Sequence, residues 1–488
     1  MSVTKRAYKL AQRCPRLAWY SERHRSPLDE TIRWRIDVGN RIGEYARRRY
    51  PTGVLLPWRD GLEATKEAIA DTSNSVLFEP SFQVGSLVTR ADVLERVPGG
   101  WRLIEFKSGA SVKPDYEQEA FFQAYVMGLC GIPIEDVCIG FVNTAYRWPG
   151  DVDYDHNELL QVESVWARKD KVMPKVDAGI RIAEAALASE EAPAKHLARK
   201  CFRPDDCEFL EKCHPEGTSG TIFHIPDLNW RAADKLVESG IVFSADLTDQ
   251  SELNESTIRT LAAIRTGKPD YDPGLQVALD QVKFPALFLD FETVGSAFPL
   301  FAGTRPYEDI QFQWSGHMVD YAAQPESEWR HFEFLPEGAE DPREDFCQTI
   351  LPLLREAATV VHYSPYEERQ LGALNRAEIP GSQECLDLLK AKQWDLMVAI
   401  KDNVFHPDFK GKTSIKVTLP TLVEGFSYDG LNIKDGQAAQ IGYLRMIDSQ
   451  TPPEIAAQTR EDLLAYCKLD TEAMVRIYQA LCLAILPS

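Results

Sequence analysis

The sequence lacks any apolar run approaching the roughly 20 residues that a membrane-spanning helix needs, so no span is expected. Its opening, MSVTKRAYKLAQRCPRLAWY, lacks the continuous apolar stretch of a secretory signal, and none is expected. Cysteine is sparse, 10 in 488 residues, which is too thin for a disulfide scaffold. Six of the ten (Cys130, Cys138, Cys347, Cys385, Cys467 and Cys482) sit among apolar neighbours, where a buried free thiol is the ordinary outcome. The expected setting is cytoplasmic, where clustered cysteines mean metal or catalysis. No internal repeat and no low-complexity segment is present. GKTSIK (411–416) carries only the tail of a phosphate-loop pattern, which argues against nucleotide binding there. Net positive charge is missing as well: the balance is −20, which argues against a passive nucleic-acid coat. The deficit is uneven. Residues 1–50 hold thirteen Lys/Arg against five Asp/Glu, +8, so the remainder carries −20 − 8 = −28. That basic segment reads either as a phosphate-binding surface or as a solvated helix face.

What is present reads as a multidomain α/β chain, since this length implies two or three domains. Apolar spacing predicts helices over 7–24 and 29–50. Short strands follow in SVLFEPSFQVG, SLVTRADVLERV and WRLIEFKSG, the last two joined by the turn PGG. YEQEAFFQAYVMGLCG reads as a helix closed by Gly131, DVCIGFVNT as a strand, and 165–195 as helix. A cysteine loop and the linker PEGTSG (215–220) come next. Residues 221–283 read as short helices, with Gly240 in a turn of helix-turn-helix rhythm; this is either a phosphate-binding helix-hairpin-helix or a plain spacer. At KFPALFLDFET a two-face-buried strand opens an α/β domain, continued by DIQFQWSGHMV, DFCQTILPLLREA, ATVVHYS and further helices. The expected domains are 1–216, a connector at 217–283, and 284–488.

Three constellations carry chemistry. Asp290 and Glu292, two apart on a strand, share one face, and carboxylates held that close repel unless a cation sits between them. Tyr466 and Asp470 are i, i+4 on an amphipathic helix and share its face. Glu367 starts a helix after a buried strand, and Asp395 heads another helix. In the N-terminal half, Asp92 lies on one strand and Glu105 and Lys107 on the next, sharing a face; two carboxylates and an ammonium at one point suit metal-assisted phosphodiester hydrolysis. Cys201, Cys207 and Cys213, each separated by five residues in CFRPDDCEFLEKCH, look like three ligands lacking a fourth.

The order of acids in the C-terminal half resembles the DEDD exonucleases of the DnaQ-like, ribonuclease-H-type fold. In these, D-x-E lies on the first strand, a second acid on a helix after a strand, and Y-x-x-x-D on a late helix. The resemblance implies that Asp290, Glu292, Glu367 and Asp470 hold two Mg²⁺ or Mn²⁺ ions ~4 Å apart, with Tyr466 orienting the attacking water. Glu367 stands where Asp is usual, and Asp395 is the substitute acid. The N-terminal half resembles the PD-(D/E)XK superfamily, with its restriction-endonuclease-like core. Within that superfamily it resembles the RecB-like nucleases that carry an iron–sulfur cluster, such as the CRISPR-associated and AddB-type enzymes. That resemblance implies Asp92, Glu105 and Lys107 as catalytic residues, Glu79 as an accessory acid and Gln123 as the motif glutamine. The Q-x-x-x-Y pattern, however, has Met127 at its last position. The usual G-x-x-x-H appears as Gly39 to Gly43 without the histidine, leaving Glu44 as an accessory metal-side group. It also supplies the missing thiol: Cys14, before the core, with Cys201, Cys207 and Cys213, would ligate one 4Fe-4S cluster, His214 and Zn²⁺ being the alternatives. Both halves together resemble a bacterial family of unassigned function, whose strings GTRPYEDIQFQWSGH (303–317) and GKTSIKVTLPTL (411–422) look like. The implied activity is cleavage of DNA or RNA, single-stranded or end-bearing. The alternative is a retired, nucleic-acid-binding scaffold.

Overall fold

The structure, a computed structural model, describes residues 1–24, 29–202, 206–218, 220–225, 228–248 and 253–486. The expected linker 215–220 and connector 217–283 therefore include positions (219, 226–227 and 249–252) that lie outside the described residues. The chain divides into two compact units, Met1–His196 with Arg203–Cys213 and Ser296–Glu308, and Leu197–Phe202 with His214–Gly295 and Asp309–Ser488. The connector thus groups with the C-terminal part, and a short piece after the D-x-E strand groups with the N-terminal one.

In the first unit, α1 (Lys5–Arg13) is capped by Thr4, whose hydroxyl accepts from the Ala7 N–H. One helix was expected over 7–24. Instead Cys14 is extended (φ −162°, ψ 124°), because Pro15 disfavours helical backbone before it and suits a first helical position; α2 (Pro15–Arg23) restarts there. Next come α3 (Glu30–Arg48), β1 (Val54–Leu55) and α4 (Gly61–Ala70). A run of strands follows: β2 (Val76–Phe78), β3 (Ser81–Val84), β4 (Leu87–Arg90), β5 (Val93–Val97) and β6 (Gly100–Phe106). After these stand α5 (Pro114–Leu129), β7 (Ile134–Val142), α6 (His156–Leu159), β8 (Leu160–Ser164), α7 (Lys169–Ala188) and α8 (Leu210–Cys213). The main sheet runs β1-β2-β5-β6-β7-β8, with β3 and β4 a separate hairpin. Pro98 and Gly99 close the β5–β6 hairpin, Gly99 taking φ +91°, which a side chain would resist. β6 and β7 are parallel, and α5 is the crossover that parallel pairing requires. Period-two alternation splits the core. Leu94, Leu103, Val137 and Ile139 face a layer with Phe121, Phe122 and Val176, whereas Val93, Ile104 and Cys138 face Ile42, Tyr45 and Phe298. Each fully buried Phe contributes on the order of 1.5–3 kcal/mol.

In the second unit α9 (Trp230–Glu238) and α10 (Glu255–Thr266) enclose a small core around Ile222, Leu247 and Leu261. After Gly240 (φ +90°) comes only a 3-10 turn, Ser244–Asp246, rather than a second helix. Then follow β9 (Asp270–Tyr271), α11 (Gly274–Leu279), β10 (Ala286–Val294), β11 (Ile310–Val319), β12 (Arg330–Phe334), α12 (Arg343–Glu356), β13 (Thr359–His362) and α13 (Tyr366–Arg376). The chain continues through α14 (Ser382–Lys392), β14 (Gln393–Asp395), α15 (Leu396–Asn403), β15 (Val404–Phe405), α16 (Ile415–Leu422), α17 (Gly436–Ile447) and α18 (Pro453–Ala484). Five strands form the sheet β12-β11-β10-β13-β14. The D-x-E strand β10 is central, antiparallel to β11 and parallel to β13. Leu287, Leu289 and Phe291 pack against Phe346, Ile350 and Leu371 on one face; the opposite face, which carries Asp290 and Glu292, receives α18. Strands β8, β12 and β14 were not anticipated; β14 is three residues long and β12 has no fully buried residue, so neither leaves a strong pattern. No helix among the described residues is long and apolar enough to cross a membrane.

Candidate functional site

The C-terminal acids meet because β10 outruns its parallel partner. β13 pairs with it only from Ala286 to Phe288, so Asp290 and Glu292 emerge where that edge opens, at the carboxyl ends of the parallel strands. α18 lies across the opening, and polar ties fix its rotation. The Gln313 Nε2 donates to the Leu463 carbonyl at 2.8 Å, Thr471 Oγ1 lies 3.0 Å from Ser315 Oγ, and the Cys467 thiol donates to Asp290 Oδ2 at 3.5 Å. This turns Tyr466 and Asp470 inward, 4 % and 5 % exposed. Carboxylate oxygens of Asp290, Glu292 and Asp470 all lie within 4.8 Å of one another, the single group among the described residues that brings three metal-type ligand atoms together. Glu367, in the first turn of α13, is buried beside them. Its Oε2 has no hydrogen-bond partner and lies 3.7 Å from His362 Nδ1. Asp395 instead caps α15, accepting from Val398 N at 3.1 Å and Ser364 N at 3.3 Å.

Burial, reinforced by mutual repulsion, sets the electrostatics. It drives Asp290 and Glu292 well above the usual carboxylate range, with Asp470 next in effect. Burial lifts Asp470 to about 6 and Glu367 to about 8. Tyr428 donates to Asp470 and Tyr466 also hydrogen-bonds it, both opposing that rise. Lys416, with its ammonium 5.7 Å from the ring centres of Tyr428 and Tyr466, lowers both Glu292 and Asp470. Gly436 opens α17 within 3.6 Å of Glu292 Oε2 at its Cβ position, so the amino end of that helix faces a carboxylate. A divalent cation suits this set: hard oxygen ligands, poorly neutralised and already converged. Neither Lys416 nor Tyr428 was assigned from the sequence; the string GKTSIK drew notice for the wrong chemistry.

The N-terminal residues also converge. Asp92 precedes β5, its Oδ2 accepting the Phe106 N–H at 2.7 Å. Glu105, 1 % exposed, points to the face that α1 and α5 cover. Each helix presents an i, i+4 pair. Lys5 donates to Glu105 Oε1 and Lys9 pairs with Glu119, while Gln123 Nε2 donates to Glu105 Oε2 at 2.6 Å. Lys107 bridges Glu105 Oε1, at 2.9 Å, and Glu119. Burial alone would raise Glu105, but Lys5 and Lys107 override it and hold the carboxyl down at about 2. Asp92 is raised to about 7 by burial and then by Glu105. Sequence reading missed Lys5, Lys9 and Glu119, whose spacing of four was the available signal. Glu79 (φ +60°) donates its backbone N–H to the Asp92 carbonyl at 3.1 Å while its carboxylate pairs with Arg90 at 3.0 Å, and Glu44 pairs with Arg48 at 2.8 Å on exposed helix.

Of the cysteines, Cys14 caps α2, Cys207 precedes the short α8 and Cys213 ends it. Phe209 stacks on Tyr20 with ring centres 5.2 Å apart, docking this loop on α2. Burial raises the Cys207 thiol, Arg13 lowers it, and the neighbouring Cys213 and Cys14 raise it. Cys201 ends a 3-10 turn, Arg199–Cys201, that groups with the second unit. Among the other six, Cys138, Cys347, Cys385 and Cys467 are buried; Cys130 and Cys482 are half-buried.

A family model described as a domain of unknown function (DUF2779) matches residues 287–414, a span that includes Asp290, Glu292 and Glu367 and ends before Tyr466 and Asp470. No curated protein matches the chain.

Proposed function

We propose that the chain is a metal-dependent nuclease whose C-terminal centre hydrolyses phosphodiester bonds of DNA or RNA. The observation that carries this is the convergence of half-buried Asp290 with buried Glu292 and Asp470 within 4.8 Å, with Glu367 and Tyr466 also buried and the set short of counter-charge. Asp290, Glu292 and Asp470 would hold Mg²⁺ or Mn²⁺, which when bound would supply a water of lowered pKa and charge stabilisation at the leaving oxygen. Tyr466 would orient the attacking water; Tyr428 and Lys416 oppose the rise of the Asp470 carboxyl. A first strand with D-x-E, a second acid on the helix after β13 and Y-x-x-x-D on a late helix support a DnaQ-type, ribonuclease-H-like reading of this unit. Asp92 just before β5, Glu105 on β6 and Lys107 just after it, with Gln123 on α5, support a PD-(D/E)XK reading of the other.

For the four-cysteine set we keep a 4Fe-4S cluster as the proposed cofactor. Three thiols in mutual electrostatic reach support it. Zn²⁺ on the same thiols is the alternative.

One observation favours a second reading for the N-terminal centre. Lys5 and Lys107 both donate to Glu105 Oε1, so an ammonium stands where a cation would bridge Asp92 and Glu105. That centre is then a retired, strand-binding one. The test is cleavage of end-labelled single strands and duplexes of DNA and RNA with Mn²⁺ by wild type, Asp470→Ala and Lys107→Ala. Loss in Asp470→Ala supports the C-terminal centre, and loss in Lys107→Ala supports the N-terminal one. A wild type that cuts nothing overturns the proposal.

A further inference from the structure

A cavity of about 670 Å³ is lined in part by Lys5, whose ammonium donates to Glu105. Its wall includes the first turn of α1. Thr4 satisfies the Ala7 N–H, which leaves the N–H groups of Lys5 and Arg6 as that helix's open donors. Arg6 is exposed and makes no ion pair among the described residues. Thr89, only 3 % exposed, lines the same cavity, and its hydroxyl has no hydrogen-bond partner. Trp58 is 81 % exposed, the most exposed of the large apolar side chains among the described residues. Its ring rests on the Arg90 guanidinium, 4.6 Å from the ring centre, and Arg90 is itself pinned by Glu79 and by the Leu56 carbonyl. Two acids also line the wall, Asp60 and Glu63, and Glu63 carries its own counter-charge in Lys66 at 2.7 Å.

We propose that this cavity seats one nucleotide of a single-stranded nucleic acid, its phosphate on the α1 amino terminus and Arg6, and its base on Trp58. The chemistry is complementary at each end. Open helix N–H groups with an unpaired guanidinium bind a phosphate. A flat indole held from behind by a cation is a platform on which any base stacks, without demanding a sequence. A paired duplex offers no free base face to Trp58, so the site selects single strands. Through Lys5 the seated nucleotide stands next to Glu105, which fits either a cutting or a holding role for that centre. The inference rests on the nucleic-acid reading above and adds to it the substrate's strandedness and the residues that grip it.

The test separates binding from cutting. In EDTA, with the full chain, fluorescence anisotropy of a labelled oligo-deoxythymidine is measured for wild type, Trp58→Ala, Trp58→Phe and Arg6→Ala, with duplex as competitor. Trp58→Ala should bind roughly ten- to hundredfold more weakly, and Trp58→Phe should stay within a few-fold of wild type. Arg6→Ala should bind more weakly with a shallower salt dependence. Because Trp58 is exposed, its removal leaves the core untouched, and equal melting temperatures verify this. If Trp58→Ala binds the strand as wild type does while wild type cuts it with Mn²⁺, the cavity assignment falls and the nuclease reading stands. If wild type neither binds nor cuts, both fall.

Discussion

Gln123 donates from Nε2 to Oε2 of Glu105 at 2.6 Å, and both side chains are buried. This bond orients the carboxylate of the N-terminal centre that Lys5 and Lys107 hold well below the usual range. Replacing Gln123 with Leu leaves that oxygen without a donor in a dry setting, a loss of about 1–3 kcal/mol. Urea denaturation should register it as a lowered midpoint with unchanged slope. Gln123→Glu should be worse, since it adds a like charge beside Glu105. An unchanged midpoint in Gln123→Leu would mean that Glu105 takes its support from Lys5 and Lys107 alone.

Metal-free protein should lose stability as pH rises. Asp470 and Glu367 have folded values of about 6 and about 8, against roughly 4 for an unfolded carboxyl. Between those limits the native state holds more protons than the unfolded state, so unfolding becomes easier with rising pH. In EDTA the melting temperature should therefore fall from pH 5 to pH 8. Mn²⁺ should reverse the fall, most strongly at the alkaline end. Asp470→Asn should melt higher than wild type in EDTA and respond least to Mn²⁺. A metal-free melting temperature that climbs over this range would contradict the buried, uncompensated arrangement.

The two tyrosines on Asp470 should separate. Tyr466→Phe removes the hydroxyl proposed to orient water together with the weaker of the two tyrosine hydrogen bonds to Asp470, so kcat should fall on the order of a hundredfold with a smaller rise in the Mn²⁺ concentration required than Tyr428→Phe gives. Tyr428→Phe removes a donor that holds Asp470 down. Its effect should be a raised Mn²⁺ requirement near pH 6 that fades by pH 8. Titrating Mn²⁺ against rate at both pH values distinguishes them; identical profiles for the two variants would remove the division of labour.

The legible part of the site was the part written locally. Asp290 and Glu292 follow from period two on a strand, Tyr466 and Asp470 from one turn of helix, and Glu105 with Lys107 from period two again. What escaped was supplied by tertiary packing. Lys5 and Lys9 carry no motif and reach Glu105 and Glu119 only because α1 covers that face of β6. Tyr428 and Lys416 come to Asp470 from a loop and a short helix far along the chain. Gln123 was obscured by a pattern demanding Tyr where Met127 stands, although its placement needs only the inner face of α5. In the fold, the central strands β7 and β10 announced themselves through apolar runs, whereas β6 and β11 interleave polar residues with apolar ones. The break at Cys14 needed attention to the proline that follows it. Asp395 looked like a candidate acid because a helix cap and a catalytic acid share the same residue type and the same place before a helix.

The cysteine loop allows a prediction independent of any cleavage assay. Cys14, Cys207 and Cys213 belong to segments that the Phe209–Tyr20 stack already holds together, so a cluster bound there should add stability as well as colour. Protein purified without oxygen should absorb near 400 nm and contain about four irons per chain. Cys207→Ser should lose most of both, whereas Cys130→Ser, away from the set, should lose neither. Chelation or oxidation that bleaches the band should lower the melting temperature of wild type and leave that of Cys207→Ser unmoved, because the variant has no cluster to lose. Colourless protein with one zinc per chain would replace the cluster by a structural zinc. Metal-free protein with wild-type stability would leave the loop held by its aromatic contact alone.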